Sequence, residues 1–92
     1  MIRSFRCKDT RELFEGGDPK RFRAFKEVAV RKLAQLDAAA TLEFLKSPPG
    51  NQLEALRHDR FCQHSIRINR QWRVCFVWTA AGPENVEIVD YH

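Results

Sequence analysis

A chain of 92 residues has room for one domain, spanning 1–92, with a modest core; 43 % hydrophobic residues and ten aromatics exclude intrinsic disorder. No run approaches the ~18 consecutive apolar residues of a membrane span. The charged opening Met-Ile-Arg-Ser-Phe-Arg-Cys-Lys lacks the apolar stretch of a secretory signal. The cysteines Cys7, Cys62 and Cys75 are odd in number and far apart, so reduced thiols in a cytosolic protein are expected rather than a disulfide framework or a zinc site. All sixteen Lys and Arg, but only nine of the twelve acids, lie at or before Arg73, which leaves +7 up to that point and −3 after it. A basic body suits a polyanionic partner, since neutralised phosphates release counterions; the alternative is a solvated basic surface.

In chain order, residues 2–6 read as a short first strand. Asp9 is placed to cap a helix over roughly 10–15, with Glu12 completing a capping box, and Gly16-Gly17 ends it. Asp18-Pro19 marks a second helix start, a capping acid followed by proline, and that helix runs to about Asp37. Its residues Phe22, Phe25, Ala29, Leu33 and Leu36 form one apolar stripe, with Lys20, Arg21, Arg23, Lys26, Arg31 and Lys32 on other faces. A shorter helical segment around 39–46 follows, and Ser47-Pro48-Pro49-Gly50-Asn51 stops regular structure. Residues 63–69 and 72–79 alternate with period 2 and are rich in β-branched and aromatic residues, as strands joined in a hairpin. Ala81-Gly82-Pro83 is a turn, and residues 86–91 form a last strand. The order predicts an α+β fold with helices on one face of a mainly antiparallel sheet.

A hairpin symmetric about Arg70 sets Ile68 opposite Trp72, Ile66 opposite Val74 and His64 opposite Phe76 on the core side. On the other side Arg67 opposes Arg73 and Ser65 opposes Cys75. Like charges directly opposite on a sheet are unfavourable, which suits an anion site; the alternatives are two solvated arginines or a register shifted by one residue. The chain ends in Asp90-Tyr91-His92, three groups able to transfer protons, and histidine titrates near pH ~6.5. Strand alternation would point Asp90 and Tyr91 to opposite faces, so the last residues are expected to leave strand geometry. The segment Leu53-Glu54-Ala55-Leu56-Arg57-His58-Asp59-Arg60 mixes possible bases with cations and reads in isolation as a polar strand edge or loop. There is no glycine-rich phosphate loop, no metal-ligand spacing among His58, His64 and His92, and no nucleophile elbow.

The block Ser65-Ile-Arg-Ile-Asn69, Trp72-Arg73 and Phe76, with the Asp90-Tyr91-His92 ending, resembles the HigB-type killer toxins of the RelE/ParE superfamily. The opening Met1-Ile-Arg-Ser-Phe5, the Leu13-Phe14 pair, Pro48-Pro49-Gly50-Asn51-x-Leu53 and Asp59-Arg60 extend the resemblance over the whole chain. It implies a RelE-like α+β fold: an N-terminal strand and two to three helices on one face of a four- to five-stranded sheet. It further implies a ribosome-dependent endoribonuclease that cuts mRNA without metal or other cofactor. The expected partner is a HigA-like helix-turn-helix antitoxin, through which the toxin would reach operator DNA. The expected location is the cytoplasm, with no membrane contact.

Carried over by position, Asp90, Tyr91 and His92 are expected in the active site and Arg73 at the phosphate. Arg57 stands where some relatives have an RNA-holding lysine, and Glu54 where certain relatives have a catalytic histidine. A carboxylate can serve as a base there but not as a cation, and His58 is a candidate substitute. Arg67, Arg70, Lys20 and Arg21 complete the expected RNA contacts. The competing expectations are a ParE-like gyrase inhibitor, which has no use for titratable C-terminal residues, a non-catalytic RNA-binding module using the basic helix face, and a degenerate toxin reduced to operon control.

Overall fold

The computed structural model describes residues 1–60 and 62–90. Its sheet is an antiparallel meander of β1 (Glu54–Ala55), β2 (His64–Arg67), β3 (Trp72–Thr79) and β4 (Gly82–Asp90), hydrogen-bonded in that order. The hairpin register is the expected one: His64 opposes Phe76, Ser65 opposes Cys75, Ile66 opposes Val74 and Arg67 opposes Arg73. At its tip the Asn69 side-chain oxygen accepts from the backbone N–H groups of Gln71 and Trp72, both at 2.9 Å, a side-chain mimic of a backbone turn. The expected first strand is reduced to a single parallel bridge, Phe5 to Val86. The Arg3 N–H donates to Pro83 (2.7 Å) and the Arg6 N–H to Val86 (3.0 Å). The backbone N–H of Ile2 ties the same segment to Asp37 at 2.8 Å.

Along β4 the register passes from Cys75–Glu87 to Val77–Glu84, so Asn85 and Val86 together oppose Phe76. Asn85 absorbs this bulge with φ +53°, a conformation asparagine tolerates better than most residues. The strand begins at Gly82, earlier than the expected 86, because Thr79 closes a tight turn: its hydroxyl donates to the Gly82 carbonyl at 2.7 Å and accepts from the Ala81 N–H at 3.1 Å.

Helix α1 (Lys8–Phe14) starts at Cys7, which is extended and gives no side-chain cap. Asp9 is thus not the cap; it lies in the first turn, where it favours the positive end of the helix and pairs with Arg21 at 3.5 Å. The end is as expected. Gly16 takes φ +100°, the Gly16 N–H donates to Leu13 and the Gly17 N–H to Glu12, a Schellman closure. The predicted second helix is a 3-10 segment, Lys20–Phe25, leading into α2, Lys26–Ala38. Asp18 does not cap it either, because its carboxylate accepts from Arg23 (3.0 Å) and Lys26 (3.4 Å). The 39–46 segment is a 3-10 turn, Leu42–Lys46, capped by Thr41; Pro49–Asn51 adds one more turn where no regular structure was expected.

The stripe works as read. Phe22, Ala29, Leu33 and Leu36 are fully buried and pack, with Phe25 half-covered, against Ile66, Ile68, Val74, Phe76, Val86 and Ile88. Burying that apolar area is the main favourable term. Thr10 pins α1 to the sheet by accepting from the Ile88 N–H at 3.0 Å.

At Gly82 both backbone conformation and space require glycine. Gly82 has φ +129°, and a Cβ there would lie 2.3 Å from the Met1 carbonyl oxygen. Gly82→Ala is expected to cost about 2 kcal/mol or more through strain and loss of the docked N-terminal segment. Gly50→Ala, where nothing lies within 4 Å of an added Cβ, should stay within ~0.5 kcal/mol. Urea denaturation of both variants checks the contrast.

Candidate active site

Alternation divides the sheet residues. Ile66, Val74 and Ile88 form one row on the helix side. Glu54, Ser65, Cys75 and Glu87 form a row on the second face, beside the row Arg67, Arg73 and Val89. Arg73 stands on that face near the hairpin end of β3. Although charged it is only 7 % exposed, and a buried cation needs acceptors. Its Nε donates to the Ser65 hydroxyl at 2.7 Å. One Nη donates to the Gln52 carbonyl at 2.5 Å and the Ser65 carbonyl at 3.3 Å. The Glu54 carboxylate lies 3.8 Å from Nε. Two of the expected site residues, Arg73 and Glu54, are therefore together.

The loop that supplies Gln52 is held from below. Asn51 is fully buried; its amide nitrogen donates to the carbonyls of Leu45 (3.1 Å) and Ser47 (3.4 Å) and to Gln35 (3.2 Å), and its oxygen accepts from the Lys32 ammonium. Burial, reinforced by Arg31 and Arg67, pulls the Lys32 pKa below its ordinary value. Neither Asn51, noted only within the Pro48-Pro49-Gly50-Asn51 motif, nor Gln52 was expected at the site. The only signal was an asparagine directly after Pro-Pro-Gly, and nothing in it announced burial.

Arg60 was likewise not among the expected site residues. Its guanidinium donates to Glu87 at 2.8 Å and to Gln63 at 3.2 Å, so the turn His58–Arg60 is strapped across the second face to β4. The hydrogen bond to Glu87 raises the Arg60 pKa further. Within this face Cys75 is fully buried. Burial pushes its thiol from about 9 up to about 11, with Glu87 and Glu54 adding to the shift and Arg60 and Arg73 opposing it.

Asp90 departs from expectation. The last strand keeps its geometry through Asp90, which pairs with Trp72 and so belongs to the helix-side row, not the row of Arg73. Its carboxylate accepts from the Gln71 amide at 2.9 Å. Tyr91 and His92 lie outside the described residues, as does the side chain of His58. Of the expected RNA contacts, Arg67 opposes Arg73 across the hairpin, and Arg57 and Arg70 are exposed. Lys20 is exposed on the 3-10 segment. Arg21 stacks over Phe22 (4.9 Å) and Trp72 (5.9 Å), on the side of the sheet that carries Asp90. Among the described residues no cluster of His, Cys, Asp and Glu could hold a metal ion, and no helix is long and apolar enough to cross a membrane.

Two helices against a four-stranded antiparallel meander, with a cradled arginine on the far face of the hairpin, make an α+β fold of the RelE-like toxin class. The family described as "RelE-like toxin of type II toxin-antitoxin system HigB" matches residues 3–92. The chain is 37 % identical to Toxin HigB-1 of Vibrio cholerae serotype O1, over 85 % of this chain and 84 % of that protein. It is 38 % identical over 50 residues to an uncharacterized protein of Haemophilus influenzae, over 54 % of this chain and 50 % of that one. The chain belongs to the HigB-like family of type II toxins, a class that implies an antitoxin partner.

The Cys75 thiol gives a pH signature. Because folding raises its pKa from about 9 to about 11, the unfolded chain loses the proton first. The thiol's contribution is complete below pH ~9 and is lost as pH rises towards ~11, about 3 kcal/mol at 1.36 kcal/mol per unit. Stability measured from pH 8 to 11 should fall more steeply for the natural chain than for Cys75→Ala.

Proposed function

We propose that this protein is a ribosome-dependent mRNA endoribonuclease, working in the cytoplasm and neutralised by a HigA-like helix-turn-helix antitoxin. The observation that carries the reading is the Arg73 guanidinium, buried and fixed by Ser65 and Gln52 with the Glu54 carboxylate 3.8 Å away, in a chain of a toxin family. A guanidinium held in advance costs no reorganisation when charge builds on a phosphate, which is where electrostatic catalysis is largest.

Cleavage follows the usual chemistry of RNA. A base removes the ribose 2′-OH proton, the 2′ oxygen attacks phosphorus, the bond from phosphorus to the 5′ oxygen breaks, and an acid protonates that oxygen. The products are a 2′,3′-cyclic phosphate and a 5′-hydroxyl. Arg73, with Arg67 beside it, stabilises the charge on phosphorus. His92 and Asp90 are the proposed acid–base pair, with Glu54 as the reserve base, and Tyr91 stacks on or orients a base. Arg57, Arg70, Lys20 and Arg21 contribute phosphate contacts. Side chains of this kind carry the reaction without a metal. A chain this small cannot read a long RNA, so the ribosome presents the substrate.

Mapping of mRNA 5′ ends after expression without antitoxin tests the reading, and the expected result is new ends within translated frames. Arg73→Ala should lower cleavage on translating ribosomes by ~10²–10³-fold. Removal of Tyr91-His92 should abolish growth arrest. Full arrest by the truncated chain would overturn the roles given to Tyr91 and His92, and arrest with intact mRNA and inhibited gyrase supercoiling would replace this reading with that of a gyrase inhibitor.

A further inference from the structure

Three features of the 48–54 segment sit in series and lead to one atom. Lys32, on α2 and only 7 % exposed, donates to the side-chain oxygen of the fully buried Asn51. Asn51 in turn grips the carbonyls of Leu45 and Ser47, so the loop after Pro48-Pro49 cannot shift without stranding buried polar groups, each expensive to leave unpaired. The next residue, Gln52, takes the left-handed conformation at φ +44°. That region is uncommon for a residue other than glycine, and such backbone persists only where its surroundings over-determine it. The Gln52 side chain is exposed and makes no hydrogen bond among the described residues; the backbone is what the position uses. Its carbonyl accepts from Arg73, and two residues on the chain enters β1 with Glu54, whose carboxylate also lies near that guanidinium.

We propose that Lys32 and Asn51, acting through the left-handed backbone of Gln52, are positioning residues that set the orientation of the Arg73 guanidinium, coupling helix α2 to the phosphate-binding position. The inference rests on the nuclease reading for its kinetic consequence, but the orientation of Arg73 is measurable without RNA. None of the three residues touches substrate; they act through Arg73. Misplacing a reacting or binding group by about 1 Å can cost as much as 10²-fold in rate, and a guanidinium freed from one of its acceptors samples other rotamers.

The test compares Gln52→Val with Gln52→Gly. Valine disfavours the left-handed region strongly and glycine accepts it freely, so the two substitutions separate backbone conformation from side-chain loss. Hydrogen exchange at the Arg73 Nη protons, one of which bonds to the Gln52 carbonyl, followed by nitrogen-15 NMR of the whole chain, should quicken at least tenfold in Gln52→Val and stay at the natural rate in Gln52→Gly. On translating ribosomes kcat of Gln52→Val should fall about tenfold below that of Gln52→Gly, with KM of the two within twofold, and the difference should vanish in an Arg73→Lys background. Lys32→Met, which keeps side-chain length and removes the donor, is the second variant should Gln52→Val not fold. It should quicken the same exchange while an unrelated core variant of equal thermal stability does not. Unchanged Arg73 exchange in the folded variants, or equal effects of valine and glycine, would falsify the proposal. If the natural chain cuts no mRNA while the exchange behaves as expected, the nuclease reading falls and the positioning role stands.

Discussion

A guanidinium that is 7 % exposed can exist in a chain this small only where acceptors are brought to it, and much of the architecture follows from that demand. The penalty for burying a charge without partners is several kcal/mol, a large share of the total stability of a small domain. Arg73 draws on two parts of the sequence besides its own strand: Ser65 across the hairpin and Gln52 from the loop, with Glu54 at the edge. That explains why a strand of two residues, β1, is kept at the sheet edge. Its pairing of Glu54 with Ser65 brings the loop and the hairpin to the same guanidinium. It also explains how opposed arginines are tolerated at the hairpin's end. Arg73 bonds back over Ser65, so the two charges need not meet head on.

The second face is therefore built differently from the first. The helix side is held by apolar area, with Leu33, Leu36, Ile66, Val74 and Ile88 all at or near zero exposure. Such contacts are non-directional and tolerate adjustment. The second face is held by directed bonds: Arg73 to Ser65 and Gln52, Arg60 to Glu87, Asn51 to its carbonyls. Directed bonds in a low-dielectric setting fix geometry more tightly than they add stability. On the proposed reading, a face that holds a phosphate in one place gains from that trade.

Much of this was legible in the chain itself, for identifiable reasons. The hairpin register could be read to the residue because period-2 alternation from Ile66 to Phe76 leaves one phase that buries the apolar set, and a slip by one would expose all of it. The α2 stripe was legible for the same reason at period 3.6. Capping was read less well. Asp9 and Asp18 both have the right chemistry, but each is drawn to arginine or lysine nearby in space, and a competition between charge pairing and capping is decided by geometry that a linear pattern does not carry. The cradle of Arg73 was half legible. The arginine and Glu54 could be named, whereas the Gln52 acceptor is a backbone carbonyl, a group every residue possesses, and Asn51 looks like any loop asparagine until its burial is known.

The position of Asp90 recasts how the proposed site is composed. Because β4 keeps its pairing to the end, Asp90 and Arg73 belong to opposite faces and cannot form one concave patch on a single side of the sheet. They are nevertheless near in the lattice of the sheet, since Asp90 pairs with Trp72 and Trp72 precedes Arg73. Residues paired across antiparallel strands have Cα atoms only ~4.5–5.5 Å apart. The two groups thus flank the end of β3 rather than line a groove. In the proposed reading the scissile phosphate lies at that end of the sheet, with Arg73 and Glu54 on one flank. Asp90, held by Gln71, and Trp72, covered by Arg21, are on the other. A nucleotide strand turned sharply at the phosphate meets both flanks at once, while an extended strand meets only one, so the substrate this geometry suits is RNA already bent by something else. On the proposed nuclease reading, that is a physical reason for the substrate to be RNA held by the ribosome.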